Sequence, residues 1–301
     1  MRAAEHWKDF EVLDTSGGEK LERWGNVILA RPDPQIIWNT PKGDSWKKIN
    51  ARYLRSRSGG GSWEVRNMPA GSWTIGYREL TFKIQPTGFK HTGLFPEQAV
   101  NWDFMAEKIR AARKKDPNRE IKALNLFAYT GGATIACSAA GASVCHVDAS
   151  KGMVAWAKEN AQSSGLADGP HTLDRGRLRE IRGAGNPQGQ PLRCGHHGPS
   201  LLWEGTKRGN LEDRGRHSSS GQAVRPAPVR QALFFLINSY TTGLAPAVLS
   251  YMIGVEIVPR FGGTVSAEEV GLPVTQTGLV LPSGHPGAGK HNAKKSRIRI
   301  R

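Results

Sequence analysis

Residues 72–86, SWTIGYRELTFKIQP, alternate apolar with polar positions. Leu80, Phe82 and Ile84 fall on one face, as a half-buried strand requires. The Gly/Ser run RSRSGGGSW before it reads as a loop, and residues 1–90 as a whole read as a β-rich segment. The pattern then changes period. Over 99–115, Val100, Phe104, Ile109 and Ala112 recur near helical spacing, and Pro117 stops the helix.

Residues 121–165 change period three times. IKALNLF is a short apolar strand, a glycine turn opens a helix, GASVCHVD is a second strand, and a second helix follows. Ser150 suits the N-cap of that helix and Gly165 its end. A βαβα unit of this kind predicts a parallel sheet with helices on its faces. The pattern fades over 169–231 and then returns. ALFFLINSYTTG reads as a buried strand and loop, APAVLSYMIG as a short helix, and 262–284 as closing strands.

Open parallel sheets bind ligands beyond the carboxyl ends of their strands. The turn Ala128–Gly132 sits at such an end. Its glycines allow close backbone approach, and the free amides of the helix behind it suit an anionic group. Asp148 ends the next strand, 23 positions after Asn125, about the spacing at which an acid reaches a ribose hydroxyl pair. The same residues fit a plain tight turn with Asp148 as a helix-entry residue. A nicotinamide cofactor is a rival ligand, but the G-x-G-x-x-G pyrophosphate cradle is absent. A nucleoside that carries a carboxylate and no phosphate needs less glycine, and S-adenosylmethionine is one.

LNLFAYTGGAT followed by VCHVDASKGMVAWAKENAQSSGL resembles class I S-adenosylmethionine-dependent methyltransferases related to bacterial 23S ribosomal RNA methyltransferases. PTGFKHTGLFPEQAVNW, LFFLINSYTTGL and GLPVTQTGLVLPSG resemble further segments of that group. The resemblance covers about residues 80–167 and 232–284. It implies a Rossmann-like α/β methyltransferase sheet behind a β-rich N-terminal segment, and methyl transfer from S-adenosylmethionine to ribosomal RNA. It implies that Asn125, Phe127, Tyr129, Thr130, Gly131 and Gly132 shape the methionine side of the cofactor pocket. Asp148 would hold the ribose, and Phe95 and Gln98 would line the same pocket. The expected division is a β-rich segment over 1–90, a methyltransferase domain over 91–284 with 169–231 anomalous, and a basic tail over 285–301.

The group's fourth-strand motif, D-P-P followed by an aromatic, positions the acceptor. It should fall between Gly165 and Ala232, and no D-P-P occurs in the chain. No catalytic residue is therefore assigned. Residues 169–231 instead hold 11 glycines, 6 prolines and one aromatic, Trp203, a composition that cannot bury a strand and two helices. A flexible insertion is one explanation. A pair of compensating frame slips near 168 and 232 is another. Codons permitted for Gly198–Gly215, read from their second base, encode D-P-P-S-Y-G-R-G-P-K-G-E-I-W-K-I-E. Flanking codons in the same frame permit a strand and helix upstream and a helix downstream. On that reading the chain as written is impaired and its sheet lacks the central strand. A non-catalytic RNA-binding or pseudoenzyme module is the alternative, with an NAD-dependent oxidoreductase behind it.

Charge adds little. The net charge is +16, but residues 169–231 carry 11 basic and 5 acidic side chains, and 285–301 carry six basic and none acidic. The excess thus sits where folded pattern is weakest. Three cysteines, no apolar signal core and no run of about 18 apolar residues point to a reducing cytoplasm with no membrane span. His196 and His197 beside Cys194 lack a well-spaced fourth ligand, so no metal is expected. Cys137 and Cys145 read as core, which disfavours a covalent cysteine mechanism. The six tryptophans of the first quarter read as core of the β-rich segment.

Overall fold

The computed structural model describes residues 1–56, 60–169, 171–175, 200–203, 232–240, 244–283 and 296–300. The chain opens with a two-residue strand, β1 (Arg2–Ala3). A five-stranded sheet follows in the order β2 (Phe10–Ser16), β3 (Glu19–Trp24), β4 (Val27–Pro32), β5 (Ala51–Arg55) and β6 (Gly61–Val65). The alternating stretch at 72–86 forms two strands rather than one. They are β7 (Trp73–Tyr77) and β8 (Leu80–Ile84), joined by a two-residue turn at which Arg78 takes φ 52. Leu80, Phe82 and Ile84 are buried on one face. The helix α1 (Ala99–Lys115) follows, with the bounds its apolar spacing predicts.

Four parallel strands make the central sheet. Its order is β11 (His171–Arg175), β10 (Ser143–Asp148), β9 (Lys122–Leu126) and β12 (Ser200–Trp203). The expectation of a missing central strand fails here. The place beside β9 is filled by Ser-Leu-Leu-Trp, a short apolar run that pairs in register from Ser200 against Ala123. The helices α2 (Gly132–Ala139) and α3 (Lys151–Ser163) connect these strands, as the βαβα reading requires. Ser150 caps α3, accepting from the Met153 N–H at 3.4 Å.

β13 (Leu236–Ser239) runs next to β12 and is followed by α4 (Pro246–Glu256). A last group comprises β14 (Val265–Pro273), β15 (Val280–Pro282) and β16 (Ser296–Ile300). The segment 285–301 was expected to be a basic tail. The structure instead inserts β16 antiparallel between β13 and β14. The residues most central to the shifted-frame reading, 176–199 and 204–231, lie outside the described residues, as does the Cys194–His196–His197 group.

The β-rich segment shares its core with the parallel sheet. β1 pairs with β14, and the Thr275 and Gln276 amides donate to the Val12 and Leu13 carbonyls at 2.9 and 3.0 Å. One continuous apolar cluster contains Phe10, Trp24 and Phe82 together with Trp102, Ile109 and Ile135. Each such side chain contributes about 1.5–3 kcal/mol of transfer free energy when fully buried. The tryptophans largely follow the core reading. Trp24 and Trp46 are buried, Trp7, Trp63 and Trp73 pack partly against the core, and Trp38 is the most exposed of the six. Among the described residues no helix is long and apolar enough to cross a membrane.

Candidate cofactor site

The site begins where β9 ends. Leu124 and Leu126 hold the strand in the sheet, and the chain then turns sharply into α2. Phe127 and Tyr129 both adopt left-handed backbone, at φ 56 and 52, and Gly131 follows at φ 86. Bulky residues in that region cost roughly 1–3 kcal/mol each and persist where surrounding contacts enforce them. The enforcing contacts are visible. The Tyr129 N–H donates to Asp148 Oδ2 at 2.8 Å, the Ala128 N–H to the Val147 carbonyl at 3.1 Å, and the Gly131 N–H to the Ala128 carbonyl at 3.0 Å. Asp148 Oδ1 accepts from the Ser150 N–H at 2.8 Å. Its carboxylate is thereby fixed at the strand end, half-buried, with lone pairs left over on both oxygens.

Gly131 is the N-cap of α2 and offers no side-chain acceptor to the amides of the first turn. Gly132 has to be glycine for packing. A Cβ there would lie 2.5 Å from Trp102 Cζ2. Thr130 is buried and donates from Oγ1 to the Gly93 carbonyl at 2.5 Å, while Asn160 donates to the Thr130 carbonyl at 2.9 Å. The turn is thus gripped by α3 on one side and by residues 90–95 on the other. Gly93 is under similar constraint, at φ 99 with Trp156 Cζ2 2.2 Å from where its Cβ would be.

Phe95 stands between two tyrosines, its ring 5.2 Å from that of Tyr129 and 5.5 Å from that of Tyr240. Burial pushes the Tyr129 phenol up to about 12, so it is a neutral group at this surface. Tyr240 follows β13 directly. Its hydroxyl donates to Glu97 Oε1 at 3.0 Å and accepts from Gln98 Nε2 at 2.7 Å.

The structure therefore brings Phe95, Phe127, Tyr129, Gly132 and Asp148 together as half-buried residues around the carboxyl ends of β9 and β10. Thr130 and Gly131 lie buried in the same turn. Asn125 and Gln98 are placed behind it. Asn125 is fully buried and donates to Thr134 Oγ1 at 3.0 Å, and Thr134 in turn bonds His146 Nδ1 at 2.9 Å. Gln98 is fully buried between Tyr240 and Asn101. Both brace the turn through other side chains. Tyr240, Glu97, Thr134 and Asn160 were not picked out from the sequence. The one available signal was the run of polar residues, Asn238 to Tyr240, at the carboxyl end of an apolar strand. A cleft of about 700 Å³ between Glu5–Asp9 and Gly76–Glu79 shares no residue with this turn.

A solved S-adenosylmethionine-dependent methyltransferase from Agrobacterium tumefaciens superposes with a TM-score of 0.79 at 25% identity, over 99% of this chain and 92% of that one. The fold is that of a class I methyltransferase. A Streptococcus mutans protein described as a methyltransferase of the same cofactor class shares this methyltransferase fold, with TM-score 0.68 and 11% identity over 98% of this chain and 76% of its own. In sequence, the ribosomal RNA large subunit methyltransferase K/L of Shewanella sp. (strain W3-18-1) is 37% identical over 86 residues, 28% of this chain. That of Shewanella amazonensis is 38% identical over 87 residues, 29% of this chain. The match spans 11% of the length of either relative. No protein-family model matches the chain.

Proposed function

We propose that the chain binds S-adenosylmethionine at the Tyr129–Gly132 turn and Asp148, and that its fold serves methyl transfer to ribosomal RNA in the cytoplasm. The hydrogen bond from the Tyr129 amide to Asp148 carries this reading, because it holds a strained glycine turn and a strand-end carboxylate against one another. Asp148 offers its remaining lone pairs to the ribose hydroxyls. The first-turn amides of α2, which Gly131 leaves without a side-chain cap, would take the amino-acid carboxylate. Phe95, Phe127 and Tyr129 give the apolar wall, and Asn125 and Gln98 hold that wall in place. When bound, the cofactor supplies a methyl group activated on a sulfonium, and the transfer then depends mainly on alignment of the acceptor. The sequence similarity to RNA methyltransferases supports RNA as that acceptor.

A second reading is a non-catalytic RNA-binding module of the same fold. The observation in its favour is the absence of D-P-P from the chain. Titration calorimetry with S-adenosylmethionine and with NAD tests the cofactor class. Binding of the former alone is expected, and binding of NAD instead would reject the assignment. A methyl-transfer assay on ribosomal RNA separates enzyme from module.

A further inference from the structure

Arg31 lies at the end of β4 in the β-rich segment, more than 90 positions from the glycine turn, and it is 6% exposed. Its guanidinium is held on three sides. Nε and Nη2 donate to the two Glu22 oxygens at 2.6 and 2.8 Å, and the cation stands 5.2 Å from the centre of the Trp24 ring. The remaining terminal nitrogen, Nη1, donates to the Lys90 carbonyl at 2.8 Å. Lys90 reaches back to the Pro32 carbonyl at 3.3 Å. Three residues further on, the Gly93 carbonyl receives the Thr130 hydroxyl. Residues 90–93 are therefore a short bridge, fixed at one end by the β-rich segment and at the other by the turn after β9.

Charge alone is something a lysine can supply, and Lys20 already stands 3.2 Å from Glu22 Oε1. What Arg31 provides beyond charge is direction, because with Nε and Nη2 bound to Glu22 its planar fork fixes where Nη1 points. We infer that Arg31 is a positioning residue for the methyl-donor turn, acting through the Lys90 carbonyl and the 90–93 bridge, so that the β-rich segment takes part in cofactor binding. This rests on the cofactor reading above, and the turn it acts on is the Tyr129–Gly132 turn.

The test uses the full chain with S-adenosylhomocysteine as probe. Arg31→Met alone would leave Glu22 buried without its main partner and is expected to unfold the protein in part. The double variant Glu22→Gln/Arg31→Met removes both charges and is expected to fold. Losing the Lys90 tether should speed amide exchange at residues 90–95 and 129–132 about tenfold and weaken S-adenosylhomocysteine about tenfold, the scale of one hydrogen bond. Arg31→Lys keeps the charge without the fork and should fall between. Thr130→Val cuts the other end of the bridge, so its effect should shrink in the double-variant background. Exchange at parental rates in the double variant overturns the inference whatever binds. Parental affinity, in a chain that binds the probe, overturns it too. A parent chain that ignores the probe counts against the cofactor reading alone, and exchange then decides the tether.

Discussion

The backbone amide of Tyr129 donates to Asp148 Oδ2 at 2.8 Å, so the turn after β9 and the end of β10 are one unit. Asp148 has two duties in this arrangement. It holds a left-handed residue in place, and on the proposed cofactor reading it presents a carboxylate to a sugar. Asp148→Ala removes both and should weaken S-adenosylmethionine by about 10- to 100-fold, the worth of one or two hydrogen bonds to a charged group. Asp148→Asn keeps an acceptor for Tyr129 and should lose less. Calorimetry reads the affinities, and equal binding by the parent and the Ala variant would separate Asp148 from the cofactor.

Gly132 is fixed by its neighbour rather than by its backbone. Trp102, which an added Cβ would meet at 2.5 Å, is itself wedged among Trp7, Tyr77 and Phe82 at ring distances of 6.0, 5.6 and 5.2 Å. It cannot yield without disturbing that cluster. Gly132→Ala should therefore cost about 1–3 kcal/mol by overpacking, and Trp102→Leu should restore part of it. Gly152→Ala is the contrast. It lies in α3, an added Cβ there meets only Ser150 Oγ at 3.9 Å, and it should stabilise by roughly 0.5–1 kcal/mol. Urea denaturation of the variants distinguishes steric from conformational cost.

Helix α1 and the βαβα unit were legible because Val100, Phe104, Ile109 and Ala112, and then the strand–glycine–strand rhythm, are local signals. The split of 72–86 into a hairpin was not. Arg78 and Glu79 make the turn without glycine, proline or asparagine, and the alternation runs straight through them. β16 carries Ile298 and Ile300 alternating with Arg297 and Arg299, but its basic surroundings made it read as solvated. The candidate turn, Tyr129 to Gly132, and Asp148 could be singled out together because they are close in sequence, and the Tyr129–Asp148 hydrogen bond joins them. Arg31, Glu97 and Tyr240 could not, because their partners lie 59 to 143 positions away and only folding brings them together.

Glu22 sets an acid limit on the fold. Burial alone would raise its pKa, but the charges and hydrogen bonds of Arg31 and Lys20 outweigh burial and hold it at about 2, below the ordinary 4.5. A carboxyl depressed in the folded state gives stability that is complete above its unfolded value and disappears as pH falls through its folded value. The window is thus from about pH 4.5 down to about pH 2. The contribution at neutral pH is on the order of 3 kcal/mol. Denaturant midpoints measured from pH 7 to pH 2 should fall steeply in that window. The Glu22→Gln/Arg31→Met chain should show a shallower fall, and an identical slope would refute the role given to Glu22.

The acceptor side raises a question the cofactor side does not. On the proposed reading the turn after β9 takes a methyl donor, yet the chain contains no D-P-P to align a base beside it. Alignment accounts for much of the barrier lowering in a direct transfer, since well-oriented reactants gain roughly 7–11 kcal/mol over free ones. A chain that binds the donor and leaves the acceptor loose should therefore show cofactor affinity with little or no turnover. Restoring the alternative frame across 169–231 should return D-P-P-S-Y to the loop beyond the central strand and raise turnover on ribosomal RNA by several orders of magnitude, with cofactor affinity nearly unchanged. The gene itself is the first check. If the codons of Gly198–Gly215 do not yield that motif from their second base, the shifted frame is ruled out. If the unrestored chain methylates RNA briskly, some other part of it must position the base.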